Sequence, residues 1–223
     1  MIQLNNKARG IQEPEAAFEH IFAARQHAKQ LLPLCGVILC GGKSKRMGRN
    51  KAFLPYAGKT LIEHSLDLMS EVFQDVLLVS NNPEDFEHLS ANSLKDIIPN
   101  RGPLVGILSG LLVSNYEHIF VMPCDMPFVD KSLMRQISAQ RHKAEILLYR
   151  HEQKNEALLG LYSKACIEAL EEAIFAGEDR VEAFLAANNP DYFDYQSEKK
   201  NFALPHFSID TPSDYGQLCA LHK

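Results

Sequence analysis

The sequence lacks the cysteine spacings that mark a disulfide scaffold or a structural zinc site. Its five cysteines, Cys35, Cys40, Cys124, Cys166 and Cys219, are odd in number, dispersed, and without a Cys-x-x-Cys pair. The first four stand in apolar surroundings and are expected as small buried hydrophobes rather than nucleophiles. The nine histidines supply no His-x-x-x-His pair for a helical metal site. No apolar run reaches the roughly 18 residues of a membrane span, and the N-terminal residues are polar, acidic and only sparsely apolar, unlike a secretory leader. A cytoplasmic protein with no membrane partner is expected. A formal charge of −5 and a pI near 6.0 exclude a general nucleic-acid binder. Two nucleotide-binding signatures are also missing. There is no Gly-x-Gly-x-x-Gly, and although Gly42-Lys43-Ser44 matches the second half of a P-loop, the position where its first glycine belongs is Val37.

What is present is a local concentration of positive charge on an open backbone. Residues 36–40, Gly-Val-Ile-Leu-Cys, read as a buried strand, and Gly41-Gly42 then lets the chain approach a ligand without Cβ atoms in the way. Lys43, Lys45, Arg46, Arg49 and Lys51 follow, five cations within nine residues of an acidic protein. A bound phosphate chain would make use of both the amides and the charge. An ordinary solvated turn is the plainer alternative for such a stretch.

With 223 residues, 46% hydrophobic and 23% charged, the chain has material for one substantial core. Short apolar runs alternate with helical stretches, the form of a mainly parallel α/β sheet flanked by helices. Strands are expected over 36–40, 75–79, 118–122, 145–149 and 157–162. Helices are expected over 61–73, 104–115, 131–141, 164–176, 180–187 and 212–221. Thr60 with Glu63 forms a capping box and Asp130 an N-cap. Residues 13–32 have helical spacing, with Phe18, Ile21, Phe22 and Leu32 on one face and Pro33 closing the helix, so residues 1–34 read as an N-terminal helical extension.

In an open α/β sheet the ligand lies at the carboxyl ends of the strands, so the loops after strands matter most. After 118–122 comes Pro123-Cys124-Asp125-Met126-Pro127, a carboxylate in a loop stiffened by two prolines. Such an acid suits Mg²⁺, which takes few protein carboxylates and completes its shell with substrate phosphate oxygens; a turn aspartate bonding its own backbone is the alternative. Asn81-Asn82-Pro83 offers amides to a sugar or base edge, or a plain turn. Gly102 and Gly106, around Pro103-Leu104-Val105, imply close approach to a planar ligand or a neighbouring strand. Asp210-Thr211-Pro212 either caps the last helix or turns Asp210 toward a metal.

These motifs, the loop over 41–51 with Arg46-Met47-Gly48 and Lys51, Gly-Pro-Leu-Val-Gly at 102–106, Pro-Cys-Asp-Met-Pro at 123–127 and Asp-Thr-Pro-Ser-Asp at 210–214, occur in the order that resembles molybdenum cofactor guanylyltransferases. The resemblance covers residues 36–221 and implies a three-layer Rossmann-like nucleotidyltransferase fold over 35–223. It implies GTP and molybdopterin as substrates, Mg²⁺ as cofactor and molybdoenzyme maturation proteins as recipients of the product. Leu39, Cys40, Gly41 and Gly42 would line the nucleotide, Lys51 and Arg46 contact phosphate, Asn82 the base or ribose, and Asp125 the metal. Asn100 stands for the acidic residue relatives carry before Gly102-Pro103-Leu104. Departures are Cys40 for alanine, Asn50 for aspartate, Ser208 and Asp210 for an Asn-x-Asn pair, and Glu156-Ala157 for His-Pro or Glu-Pro at the acceptor side. Cytidylyl transfer to the same pterin, nucleotidyl transfer to a sugar or polyol phosphate, and a non-catalytic nucleotide-binding adaptor are the alternatives.

Overall fold

The computed structural model describes residues 30–41, 47–48, 50–196 and 205–221. Nine strands are present among them: β1 (Leu32–Leu39), β2 (Pro55–Tyr56), β3 (Lys59–Thr60), β4 (Phe73–Ser80), β5 (Asn92–Lys95), β6 (His118–Pro123), β7 (Ile146–His151), β8 (Lys154–Ser163) and β9 (Asp191–Asp194). The helices are α1 (Leu61–Ser70), α2 (Pro103–Val113), α3 (Lys131–Ser138), α4 (Ile167–Phe175), α5 (Val181–Asn188) and α6 (Pro212–Leu221).

Seven strands form one sheet in the order β5-β4-β1-β6-β8-β7-β9, and β2 and β3 form a separate hairpin. β1 runs parallel to β4 and β6, β4 to β5, and β7 to β9, while β8 is antiparallel to both its neighbours. Alternation along β1 divides the core. Leu34, Ile38 and Cys40 pack with α1 and α3 residues such as Met69 and Leu133. Cys35, Val37 and Leu39 pack with Leu104, Leu111, Leu170 and Phe184 of α2, α4 and α5 on the opposite face. The result is the expected three-layer α/β arrangement with a mostly parallel sheet.

Expected helix ends shift by no more than three residues, and both caps are present: Thr60 and Glu63 hydrogen-bond reciprocally, and the Asp130 side chain accepts from the Leu133 N–H at 2.8 Å. The first strand is a correction. It begins at Leu32, so Pro33 lies in β1 rather than closing a helix, at the irregular start where pairing with β4 shifts between Leu32 and Cys35. A proline is tolerated there because its missing N–H breaks no regular ladder. Residues 1–29, which carry the rest of the expected extension, lie outside the described residues. The sequence reading also omitted β5, β9 and the hairpin, whose strands are short and largely exposed and so present no apolar run.

A third small core sets up the site. Leu54, Leu61, Ile209 and Leu218 are buried together, with Phe128, Phe207 and Tyr215 packed against them. This cluster joins the β2–β3 segment to α6, and Tyr215 donates its hydroxyl hydrogen to the Pro55 carbonyl at 2.7 Å. Two distant parts of the chain are thereby held beside the end of β6.

Candidate active site

Lys51 opens a single 3₁₀ turn, Lys51–Phe53, fixed by the Asn50 side chain, which accepts from the Ala52 N–H at 3.1 Å. From that turn its ammonium donates to Asp125 Oδ2 at 2.9 Å and to Asp210 Oδ1 at 2.7 Å. Asp125 follows β6, and the Ile209 N–H donates to its backbone carbonyl at 3.1 Å, tying the segment before α6 to the same loop. Thr211 and Asp214 form the reciprocal cap of α6, with the Asp214 carboxylate accepting from the Thr211 N–H at 2.7 Å and the Thr211 hydroxyl from the Asp214 N–H at 3.3 Å. Capping therefore falls to Thr211, and the Asp210 side chain is left for Lys51.

The Lys51 and Asp125 side chains are each 15% exposed and Asp210 is 50% exposed, so the inner pair is the better shielded. Burial works against the Lys51 ammonium, but the two carboxylates outweigh it and its pKa lies above that of an ordinary lysine. Two carboxylates share one cation, and the set retains negative charge. Asp125 and Asp210 are thus a fitting donor pair for a divalent ion that completes its shell with phosphate oxygens. Among the described residues no group of three or more His, Cys, Asp or Glu side chains suited to hold a metal occurs.

Asp125, Asp210 and Asp214 line a cleft of about 1810 Å³ across the carboxyl ends of the parallel strands, and Lys51 reaches its wall through its bonds to the first two. That exceeds the roughly 300–1,000 Å³ of a pocket for one small ligand. Of the residues expected at the nucleotide, Leu39, Cys40, Gly41, Asn82, Asn100, Gly102 and Asp125 line it. Gly42 and Arg46, with Lys43, Lys45 and Arg49, lie outside the described residues. Gly106 serves packing: a Cβ there would come within 2.9 Å of Leu39 Cδ2, so the close approach is to β1. Gly102 has φ +79°, and a Cβ would lie 2.8 Å from the Asp179 carbonyl oxygen. Cys35, Cys40, Cys124 and Cys166 are buried, and burial pushes the Cys40 thiol well up from its usual range, against a nucleophilic role.

Two further carboxylates line the cleft, of which Asp96 is absent from the sequence expectations and Glu156 enters them only as a departure at the acceptor side. Asp96, just after β5, is buried, has no hydrogen-bond partner on Oδ1 among the described residues, and is pushed up in pKa by desolvation. Asn100, the position chosen from sequence for an acid, instead donates its backbone N–H to Asn81 Oδ1 at 2.7 Å. Asp96 is the carboxylate on that shore, and it went unseen because β5 was not recognised. Glu156, on the opposite shore, is raised to about 7 by burial, with Asp125 and Asp210 adding to the shift and Lys154 opposing it.

Residues 36–192 match the model of the MobA-like NTP transferase domain. A probable molybdenum cofactor guanylyltransferase of Pelotomaculum thermopropionicum is 32% identical over 82% of this chain and 91% of its own length. The crystal structure of molybdopterin-guanine dinucleotide biosynthesis protein A from Archaeoglobus fulgidus is similar at a TM-score of 0.73 and 26% identity, over 85% of this chain and 98% of that one. Rv0371c from Mycobacterium tuberculosis, solved in complex with manganese, shares the fold at a TM-score of 0.63 and 16% identity, over 84% of this chain and 98% of that one. The chain belongs to the MobA-like NTP transferase domain family.

Proposed function

We propose that the protein transfers GMP from GTP to the terminal phosphate of molybdopterin, releasing pyrophosphate and forming molybdopterin guanine dinucleotide. The observation that carries this reading is the bonding of Lys51 to both Asp125 and Asp210 at the wall of one cleft, in a chain whose relatives are named for that reaction. An acceptor phosphate oxygen forms a bond to the α-phosphorus as the bond from that phosphorus to the bridging oxygen of pyrophosphate breaks. A phosphate monoester with its second pKa near 6 is already largely ionised at neutral pH. The site therefore requires no general base, and its task is alignment and charge neutralisation.

Lys51 supplies positive charge to the triphosphate, and Asp125 and Asp210 are the side chains that would hold a divalent cation, Mg²⁺ in this reading. That ion would neutralise charge on the phosphates. Arg46 would be a further phosphate contact. On the nucleotide shore Leu39, Cys40 and Gly41 present backbone to the ligand, and Asp96 and Asn82 face its hydroxyl and amino donors. GTP and molybdopterin are the partners, and the product passes to molybdoenzyme maturation proteins in the cytoplasm.

Incubation of the protein with molybdopterin, Mg²⁺ and each of the four nucleoside triphosphates tests the reading. The guanine dinucleotide with stoichiometric pyrophosphate is the expected product. A cytosine dinucleotide formed preferentially from CTP would overturn the base assignment, the point on which Asp210, in place of an asparagine, favours the cytidylyl alternative.

A further inference from the structure

Lys51 has two sets of partners to serve. Its ammonium takes one oxygen from each of the two carboxylates suited to a divalent cation, Asp125 Oδ2 at 2.9 Å and Asp210 Oδ1 at 2.7 Å, and among the described residues these are its hydrogen-bond partners. Two of its three N–H donors are engaged there, and its positive charge is already neutralised by the aspartates. The triphosphate calls on the same ammonium.

The backbone on every side is fixed, so the side chain alone can change partners. Asn50 caps the turn that carries Lys51, Ala52 and Leu54 are fully buried, and the Leu54 N–H donates to the Lys51 carbonyl at 3.0 Å. The Ile209 N–H holds the Asp125 carbonyl, and the Asp210 N–H donates to Asp214 Oδ2 at 3.0 Å. What remains free to turn is the flexible four-carbon stem of Lys51, which ends in a compact charge. Its neighbour Asn50 lines the cleft together with Asp125 and Asp210, so the stem starts from the cleft wall.

Charge decides when it turns. With Lys51 bonded to them the two carboxylates retain one negative charge between them, and without it they have two. A divalent cation drawn to the pair meets the ammonium beside it, and like charges a few ångströms apart repel strongly where water is scarce. A phosphate chain offers the ammonium new oxygens and relieves that repulsion.

We propose that Lys51 is an exchangeable counter-ion, which keeps Asp125 and Asp210 closed to a free divalent cation until a nucleotide's phosphates draw it away, so that cation and nucleotide enter the site together. This inference rests on the proposed function for the two carboxylates as the cation's ligands, and adds to it what keeps the site from filling with metal alone. By linkage, the gain that the nucleotide gives the cation equals the gain that the cation gives the nucleotide.

Mn²⁺ binding to the full chain without nucleotide, followed by titration calorimetry and by loss of the free-ion paramagnetic resonance signal, tests it. Lys51→Met, uncharged and similar in reach, is expected to bind Mn²⁺ roughly tenfold more tightly than the wild type. Lys51→Arg, which keeps the charge, is expected to stay within about threefold of the wild type. Adding Asp125→Asn to Lys51→Met is expected to abolish the gain, which places it at these carboxylates. An affinity in Lys51→Met equal to or below that of the wild type, an equal gain in Lys51→Arg, or a gain that survives Asp125→Asn overturns the proposal. Lys51→Gln decides it in the same way if the methionine variant does not fold. Dinucleotide formation is scored separately. A wild type that forms none, while Lys51→Met gains Mn²⁺ affinity, brings down the proposed transfer and not the counter-ion role, whereas an active wild type with no gain in Lys51→Met overturns this inference alone.

Discussion

The two halves of the sheet contribute differently to the cleft. β5, β4, β1 and β6 are parallel throughout, so each ends at the same edge and each following loop arrives at the cleft: Gly41, Asn82, Asp96 and Asp125 are all placed that way. Beyond β6 the directions mix. β8 runs the other way and presents its beginning, so Glu156 arrives from before the strand's paired core rather than after it. The parallel half places residues by a general rule of the fold, and the mixed half by a bulge particular to this strand.

That difference explains what was legible in the sequence. Lys51 and Asp125 follow apolar runs that read plainly as strands, and inspecting the loops after them finds both. Asp96 follows β5, whose Asn-Ser-Leu-Lys has no apolar periodicity, and so the acid was assigned to Asn100 instead. Glu156 precedes its apolar stretch, where the rule for parallel strands does not look. The convergence of Lys51 with Asp210, 159 residues away, depends on the buried Leu54–Leu61–Ile209–Leu218 cluster. A side-chain packing of that kind has no local signature.

Four substitutions sharpen the comparison. On the parallel half, Asp125→Ala is expected to lower the rate of pyrophosphate release ~10²-fold or more with the fold intact by its thermal midpoint; a near-normal rate would remove the inner carboxylate from the site. Leu218→Ala strikes the packing that holds α6 against the β2–β3 segment. It should cost about 2–3 kcal/mol of stability in denaturant titration, and a loss below about 1 kcal/mol would show that the small core does not hold the segment. Asp210→Asn, at the more exposed member of the pair, is expected to lower turnover roughly tenfold, less than Asp125→Ala. Equal losses would contradict the ranking by burial.

The smallest expected effect lies on the mixed half and reads stability rather than rate. Glu156 has a folded pKa raised to about 7, above its unfolded value, so its contribution favours the fold at low pH and is lost as pH rises through about 7. Glu156→Gln should therefore match the wild type in thermal midpoint near pH 5 and exceed it near pH 8. Identical midpoints at both pH values would place the carboxylate in solvent and end the contrast between the two shores.

The central claim is that the lysine of the glycine loop and the aspartate after β6 act on one triphosphate as a unit. A cycle of Lys51→Ala, Asp125→Ala and the double variant, measured as kcat/KM for GTP at saturating molybdopterin and Mg²⁺, tests it most directly. The account predicts that the double variant loses little more than the worse single variant, because either change dismantles the same charge-neutralising set. Losses that multiply would contradict it, since two groups with independent effects cannot be serving one phosphate complex.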